Sequence, residues 1–218
     1  MLYGSQNDMK ANNLSSIANH RLIGANLNYF SDQFDILFEF ISKDNDGFGL
    51  FADISIYSDK LFFSNFTTLG LSYKNYLFSS RSPDKRWDIV NEKIGTIPFQ
   101  QMPTVFQLHS SVLLSRATHI IDYNDEVGFN LYLKTSLGQS ASFLFTYSRA
   151  SRNNEWRMDE SYQWYKKIKE GSAGDRIILP IKNPFYNPFQ ETFFEMDGYL
   201  NLNQIYYKVG ISKLNDIV

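Results

Sequence analysis

Along several stretches of the chain every second residue is apolar. Phe34, Ile36, Phe38 and Phe40 alternate with Asp35, Leu37, Glu39 and Ile41. Phe48, Leu50, Ala52, Ile54 and Ile56 follow at once, and Val127, Phe129, Leu131 and Leu133 alternate with Gly128, Asn130, Tyr132 and Lys134. A period of two is that of a β-strand, whose successive side chains leave opposite faces of the backbone. The stretches run for about ten residues, more than the usual five or six in soluble sheets and enough for a tilted strand to cross a bilayer. Spacing and turn residues predict nine strands: 22–30, 34–43, 48–57, 66–78, 105–118, 127–137, 141–149, 191–200 and 204–214. Lys43-Asp44-Asn45-Asp46-Gly47 is the clearest hairpin signal, and Ser31-Asp32-Gln33, Gly138-Gln139-Ser140 and Asn201-Leu202-Asn203 read as further turns. Excursions at 79–104 and 150–190 interrupt the ladder. The first carries Pro83, Pro98 and Pro103; the second reads as a short helix over 159–170, followed by the breakers Asn183-Pro184 and Asn187-Pro188. With no βαβ unit in view, the expectation is a single all-β antiparallel domain over 1–218.

Composition sharpens one question, whether the apolar face meets protein or lipid. Aromatic residues make up 17% of the chain, mostly 19 Phe and 14 Tyr, which suits strands and interfacial belts alike. No apolar run is long enough for a transmembrane helix, a test that a membrane barrel escapes because only alternate residues face lipid. The face opposite the apolar one is rich in Gly, Asn, Ser and Thr with scattered charges. Asp35, Glu39, Asp53, Asn130, Lys134, Ser142 and Thr146 are therefore the candidate lining of a polar lumen. Tyr29, Tyr57, Tyr76, Tyr123, Tyr147 and Tyr199 lie near strand ends, where an interfacial belt would place them.

A resemblance supports the lipid alternative. Pro103-Thr104, His109, Leu113-Leu114-Ser115-Arg116-Ala117-Thr118-His119, Asn124-Asp125-Glu126 and Gly128-Phe129 occur in that order within 103–133. This stretch resembles a segment of porin-like outer-membrane β-barrel proteins from Bacteroidetes and related phyla, a family of unknown function. The hairpins 69–78 and 191–212 are similar too. The resemblance implies a transmembrane β-barrel and a bacterial outer-membrane location, not an activity. The family's export signal and its aromatic final strand have no counterpart here, and nine is an odd number for a single-chain bacterial barrel. The expectation is thus a mature or partial chain belonging to a larger barrel. In this numbering the two long excursions fall at opposite ends of the sheet, with 150–190 expected to fold into the lumen.

Candidate chemistry adds little. His109 and His119 are too far apart in sequence, and too poor in paired carboxylates, to suggest a metal site, so a structural role is expected. Asp122, Asp125 and Glu126 form an acidic turn without the oxygen ladder that calcium needs. Arg149, Arg152 and Arg157 near Trp156 and Trp164 could bind sugars or lipopolysaccharide, but a polar loop is the simpler reading. Asn183-Pro184-Phe185 and Asn187-Pro188-Phe189 read as turn chemistry rather than sorting motifs. Ser110 follows His109 directly, and strand neighbours point to opposite faces, so they cannot act as a dyad. With no cysteine, thiolate chemistry is excluded, and a net charge of −2 gives no electrostatic reason for nucleic-acid binding. The expected protein is not an enzyme and needs no cofactor. It is a passive small-solute pore or a scaffold, in contact with outer-membrane lipid or lipopolysaccharide and with other outer-membrane proteins. The alternative is a soluble β-sandwich that binds carbohydrate.

Overall fold

The computed structural model describes residues 2–10, 17–43, 47–59, 66–78, 119, 125–138, 140–160, 164–166, 177–200 and 204–216. They form a nine-stranded sheet and a separate two-stranded one. The strands are β1 (Leu2–Lys10), β2 (Ile17–Phe30), β3 (Phe34–Lys43), β4 (Gly47–Ser58), β5 (Thr67–Phe78), β6 (Asp125–Leu137), β7 (Ala141–Ser151), β8 (Trp156–Met158), β9 (Trp164–Lys166), β10 (Phe189–Leu200) and β11 (Ile205–Asp216). The large sheet runs β1-β2-β3-β4-β5-β6-β7-β10-β11, and every neighbouring pair is antiparallel. The protein is therefore all-β. The sheet is not closed, because β1 and β11 stand at its two edges.

Eight of the predicted strands coincide with β2 to β7, β10 and β11; the ninth, 105–118, lies outside the described residues. Two expectations are corrected. Residues 164–166 are not helical but pair as β9 with β8, since Trp and Tyr fit a ladder as well as a helix. The long connections do not fall at opposite ends. Leu77 pairs with Asp125, so β5 meets β6 directly and no strand stands between them in the sheet. Connections 11–16, 44–46, 79–124 and 152–188 consequently share one end, and turns 31–33, 59–66, 138–140 and 201–204 share the other.

Register assigns each side chain a face. Ile54 pairs with Leu71 and Leu71 with Leu131, so these share the apolar face; Asp53 pairs with Ser72 and Ser72 with Asn130, so these share the polar one. The burial is inverted relative to a water-soluble sheet. Lys74, Glu126, Thr146 and Ser148 are buried, while Leu27, Ile56, Leu69, Val209 and Ile211 on the apolar face are exposed. Among the described residues the second sheet is only the β8–β9 pair.

The polar face is crowded by one close approach. A Cβ built on Gly70 would lie 2.0 Å from the Tyr132 ring, whose hydroxyl is 2.6 Å from the Ser55 hydroxyl. The ring lies across the space that glycine leaves. Gly70→Ala should therefore displace Tyr132 and cost about 1–3 kcal/mol. Chemical denaturation of Gly70→Ala and of Gly70→Ala/Tyr132→Ser tests this; the double variant should recover part of the loss.

Candidate functional site

A cluster of heavily buried charges gathers on the polar face at the end of the long connections. Lys74 in β5 and Glu126 in β6 lie 2.5 Å apart, with side chains 0% and 2% exposed. Alternation sets both on this face, because Tyr76 pairs with Glu126 and Lys74 with Gly128. The Lys74 ammonium also lies 5.6 Å from the Tyr76 ring centroid. His119, from the connection between β5 and β6, lies 3.4 Å from Glu126 through Nε2 and 3.2 Å from Asp216 of β11 through Nδ1. Its ring stacks on Phe189 of β10, with centroids 4.4 Å apart.

This bridge measures the curvature of the sheet. β6 and β11 are three strand spacings apart, roughly 14 Å if the sheet were flat. One imidazole reaching carboxylates on both strands requires the polar face to be concave. It also places His119 of the 79–124 connection over that face. The described part of 150–190 instead leans on the opposite face. Asn75 donates to the Ile177 carbonyl, Tyr73 to the Ile178 carbonyl and Arg149 to the Pro180 carbonyl. The expected folding of 150–190 into the lumen is corrected accordingly for its described residues.

Burial pulls the His119 pKa down, but hydrogen bonds to Asp216 and Glu126 outweigh it and raise it from 6.5 to about 9. A pKa raised in the folded state stabilises the fold when the group is protonated. The contribution is therefore fully present below about pH 6.5, at most roughly 3 kcal/mol, and disappears as pH rises through 9. Urea midpoints should fall between pH 6 and pH 10 in the wild type, with a flatter profile in His119→Gln.

All seven proposed lining residues lie on the concave face. Asp35 accepts from the Tyr57 hydroxyl at 2.7 Å, and Asp53 accepts from the Ser72 hydroxyl at 2.5 Å. Asn130 accepts from the Ser148 hydroxyl at 3.0 Å, and the Ser142 hydroxyl donates to Asp197. Thr146 is fully buried opposite Tyr132, Lys134 pairs with Thr68, and Glu39 pairs with Phe51. The tyrosines divide. Tyr29 and Tyr147 are on the apolar face, but Tyr57, Tyr76 and Tyr199 share the face of Asp35, Lys74 and Asp197, so they are not part of an outward belt. Nearness to a strand end does not choose a face; parity does. Tyr123 lies outside the described residues, as do His109, Ser110 and Asp122.

The remaining candidates resolve locally. Asp125 and Glu126 are the first residues of β6 and point to opposite faces, so they cannot converge on one cation. Asp125 accepts from the Asn153 backbone N–H and the Asn154 side chain. Arg157 is paired with Glu155 at 2.5 Å and lies over Phe185, whereas Arg149 stands at the rim of β7. Asn183-Pro184-Phe185 is turn chemistry: the Asn183 side chain accepts from Phe185 N–H and caps a 3-10 turn that ends at Asn187 with φ 43°. Among the described residues no group of three or more His, Asp or Glu side chains is arranged to hold a metal. Lys74, the innermost member of the charged cluster, carries no sequence motif; a lysine on the otherwise neutral polar face of a strand is its signal. No family model matches the chain, nor does any curated protein or solved structure.

Proposed function

We propose that this open sheet is part of the wall of a bacterial outer-membrane β-barrel, whose concave polar face lines a narrow passage for small solutes. The inversion of burial carries this reading: charged and hydroxyl side chains of the polar face are enclosed, and most described aliphatic ones of the other face are outside. In lipid that arrangement satisfies both faces, whereas in water it would leave an extended apolar surface exposed. The two longest connections, 79–124 and 152–188, leave the sheet at the same end, which is likewise the habit of outer-membrane barrels. The 103–133 resemblance points the same way.

Among the described side chains the lining sets Lys74, Lys134 and Lys208 against a larger number of acids, which favours a weak preference for cations. A scaffold is the second reading, favoured by the His119 bridge, which narrows the concave face. Cell fractionation followed by planar-bilayer recording tests both. Retention in membranes through salt washing, with release by detergent, is expected. Release by salt alone would sink the membrane reading. A weakly selective conductance supports the passage; a silent protein with co-purifying partners supports the scaffold.

A further inference from the structure

Charge is partitioned between the two faces of the sheet. Across the described side chains of β2 to β7, β10 and β11, the apolar face carries four charged residues: Arg21, Asp125, Arg149 and Lys213. All four stand toward the end of the long connections. Asp125 is enclosed, 1% exposed, beneath Asn153 and Asn154. The charge that this face presents outward is therefore cationic and confined to one end, while Glu191, Glu195, Asp197 and Asp216 all stand on the concave face.

The boundary is clearest on the last three strands. Reading toward the long connections, β7 presents Phe143, Phe145, Tyr147 and then Arg149; β11 presents Tyr207, Val209, Ile211 and then Lys213. Between them β10 changes from Met196 and Phe194 to Thr192 and Gln190. A cleft of about 370 Å³ opens at this rim, lined in part by Arg149, Lys182, Gln190, Asn215 and Asp216. Its one carboxylate, Asp216, is engaged by His119. An apolar band about three residues deep, capped by a guanidinium, an ammonium and amide side chains, matches an amphiphile with an anionic head.

We propose that the outward rim of β7, β10 and β11 binds the phosphorylated headgroup of a membrane lipid, with Arg149, Lys182 and Lys213 facing the phosphate and the acyl chains lying along Phe145, Phe194 and Ile211. The proposal rests on the outer-membrane reading and adds a ligand class to it. Lipid is the occupant, rather than free phosphate, because the cationic rim is continuous with the exposed apolar band.

Two measurements on the full chain test it. Flotation with neutral phosphatidylcholine vesicles reads membrane association alone. Titration of the detergent-purified protein with diphosphorylated lipid A, with its dephosphorylated form and with inorganic phosphate reads the site. The wild type should float and prefer the diphosphorylated lipid. Arg149→Gln/Lys213→Gln should still float but bind that lipid about 30-fold more weakly, taking about 1 kcal/mol for each cation. Arg149→Lys/Lys213→Arg, which keeps both charges, should retain the preference. Flotation without preference for the phosphorylated lipid, or equal binding by the Gln variant, overturns the site and leaves the membrane reading standing. Displacement of the lipid by equimolar inorganic phosphate overturns the choice of lipid as occupant. Failure to float overturns both.

Discussion

Glu126→Ala should destabilise the protein by about 3–5 kcal/mol, the largest effect expected of any single substitution in the sheet. The loss exceeds that of one contact because two cations depend on the same carboxylate. Lys74 is fully enclosed 2.5 Å away, and His119 is held at 3.4 Å. Alanine supplies no counter-ion for the enclosed ammonium, and desolvating such a charge costs several kcal/mol. Lys74→Met alone is expected to be milder, since Glu126 would keep His119. Lys74→Met/Glu126→Leu should recover most of the loss, because a buried pair replaced by apolar groups of similar volume is often close to neutral. A double-mutant cycle from urea unfolding, followed by tryptophan fluorescence, measures the coupling. Additive effects would mean that the two side chains do not share one enclosed site.

The second large effect concerns the other face. Leu71→Arg should cost about 2–4 kcal/mol in a bilayer and less than about 0.5 kcal/mol if the same face met water. Leu71 is 38% exposed between Ile54 and Leu131 and is the fifth residue of β5 from its short-turn end, whereas Arg149 and Lys213 are each the ninth of their strands. An arginine there must carry its charge into hydrocarbon or snorkel along neighbouring apolar side chains. Unfolding from phosphatidylcholine vesicles, compared between Leu71→Arg and Lys213→Arg, tests this. The Lys213 change preserves charge at the rim and should be nearly neutral. A tolerated Leu71→Arg would argue that this face is not in lipid.

How much of the fold is legible in the sequence depends on how local the signal is. Alternation between Phe34 and Ile56 states two strands, their turn and their faces, because each of these is settled within a few residues. The candidate lining residues from Asp35 to Thr146 follow from the same parity and share one face of the sheet. Position along a strand misleads where parity is not applied. It puts Tyr57 and Tyr76 in a belt, although each alternates with outward residues. β1 gives no signal, since Leu2–Lys10 has no apolar period. The β5–β6 pairing is not legible either, because it joins residues on either side of 79–124 and no local pattern specifies which strands meet across such a gap. The Lys74–Glu126–His119–Asp216 cluster inherits that difficulty. Its members come from β5, the following connection, β6 and β11, and only the completed register brings them together.

The placement of the long connections also divides the sheet into kinetic units. Residues 2–78 form five strands joined by short connections, 125–151 form a hairpin, and 189–216 form another. Within each unit pairing can zip outward from a turn on the microsecond scale of hairpins. Joining the units requires closing 79–124 and 152–188, whose entropic cost grows only logarithmically with length but delivers no pairing until the ends meet. Assembly should therefore show fast local zippering followed by slower docking of three preformed pieces. Lengthening either connection would slow the docking while leaving the final stability almost unchanged.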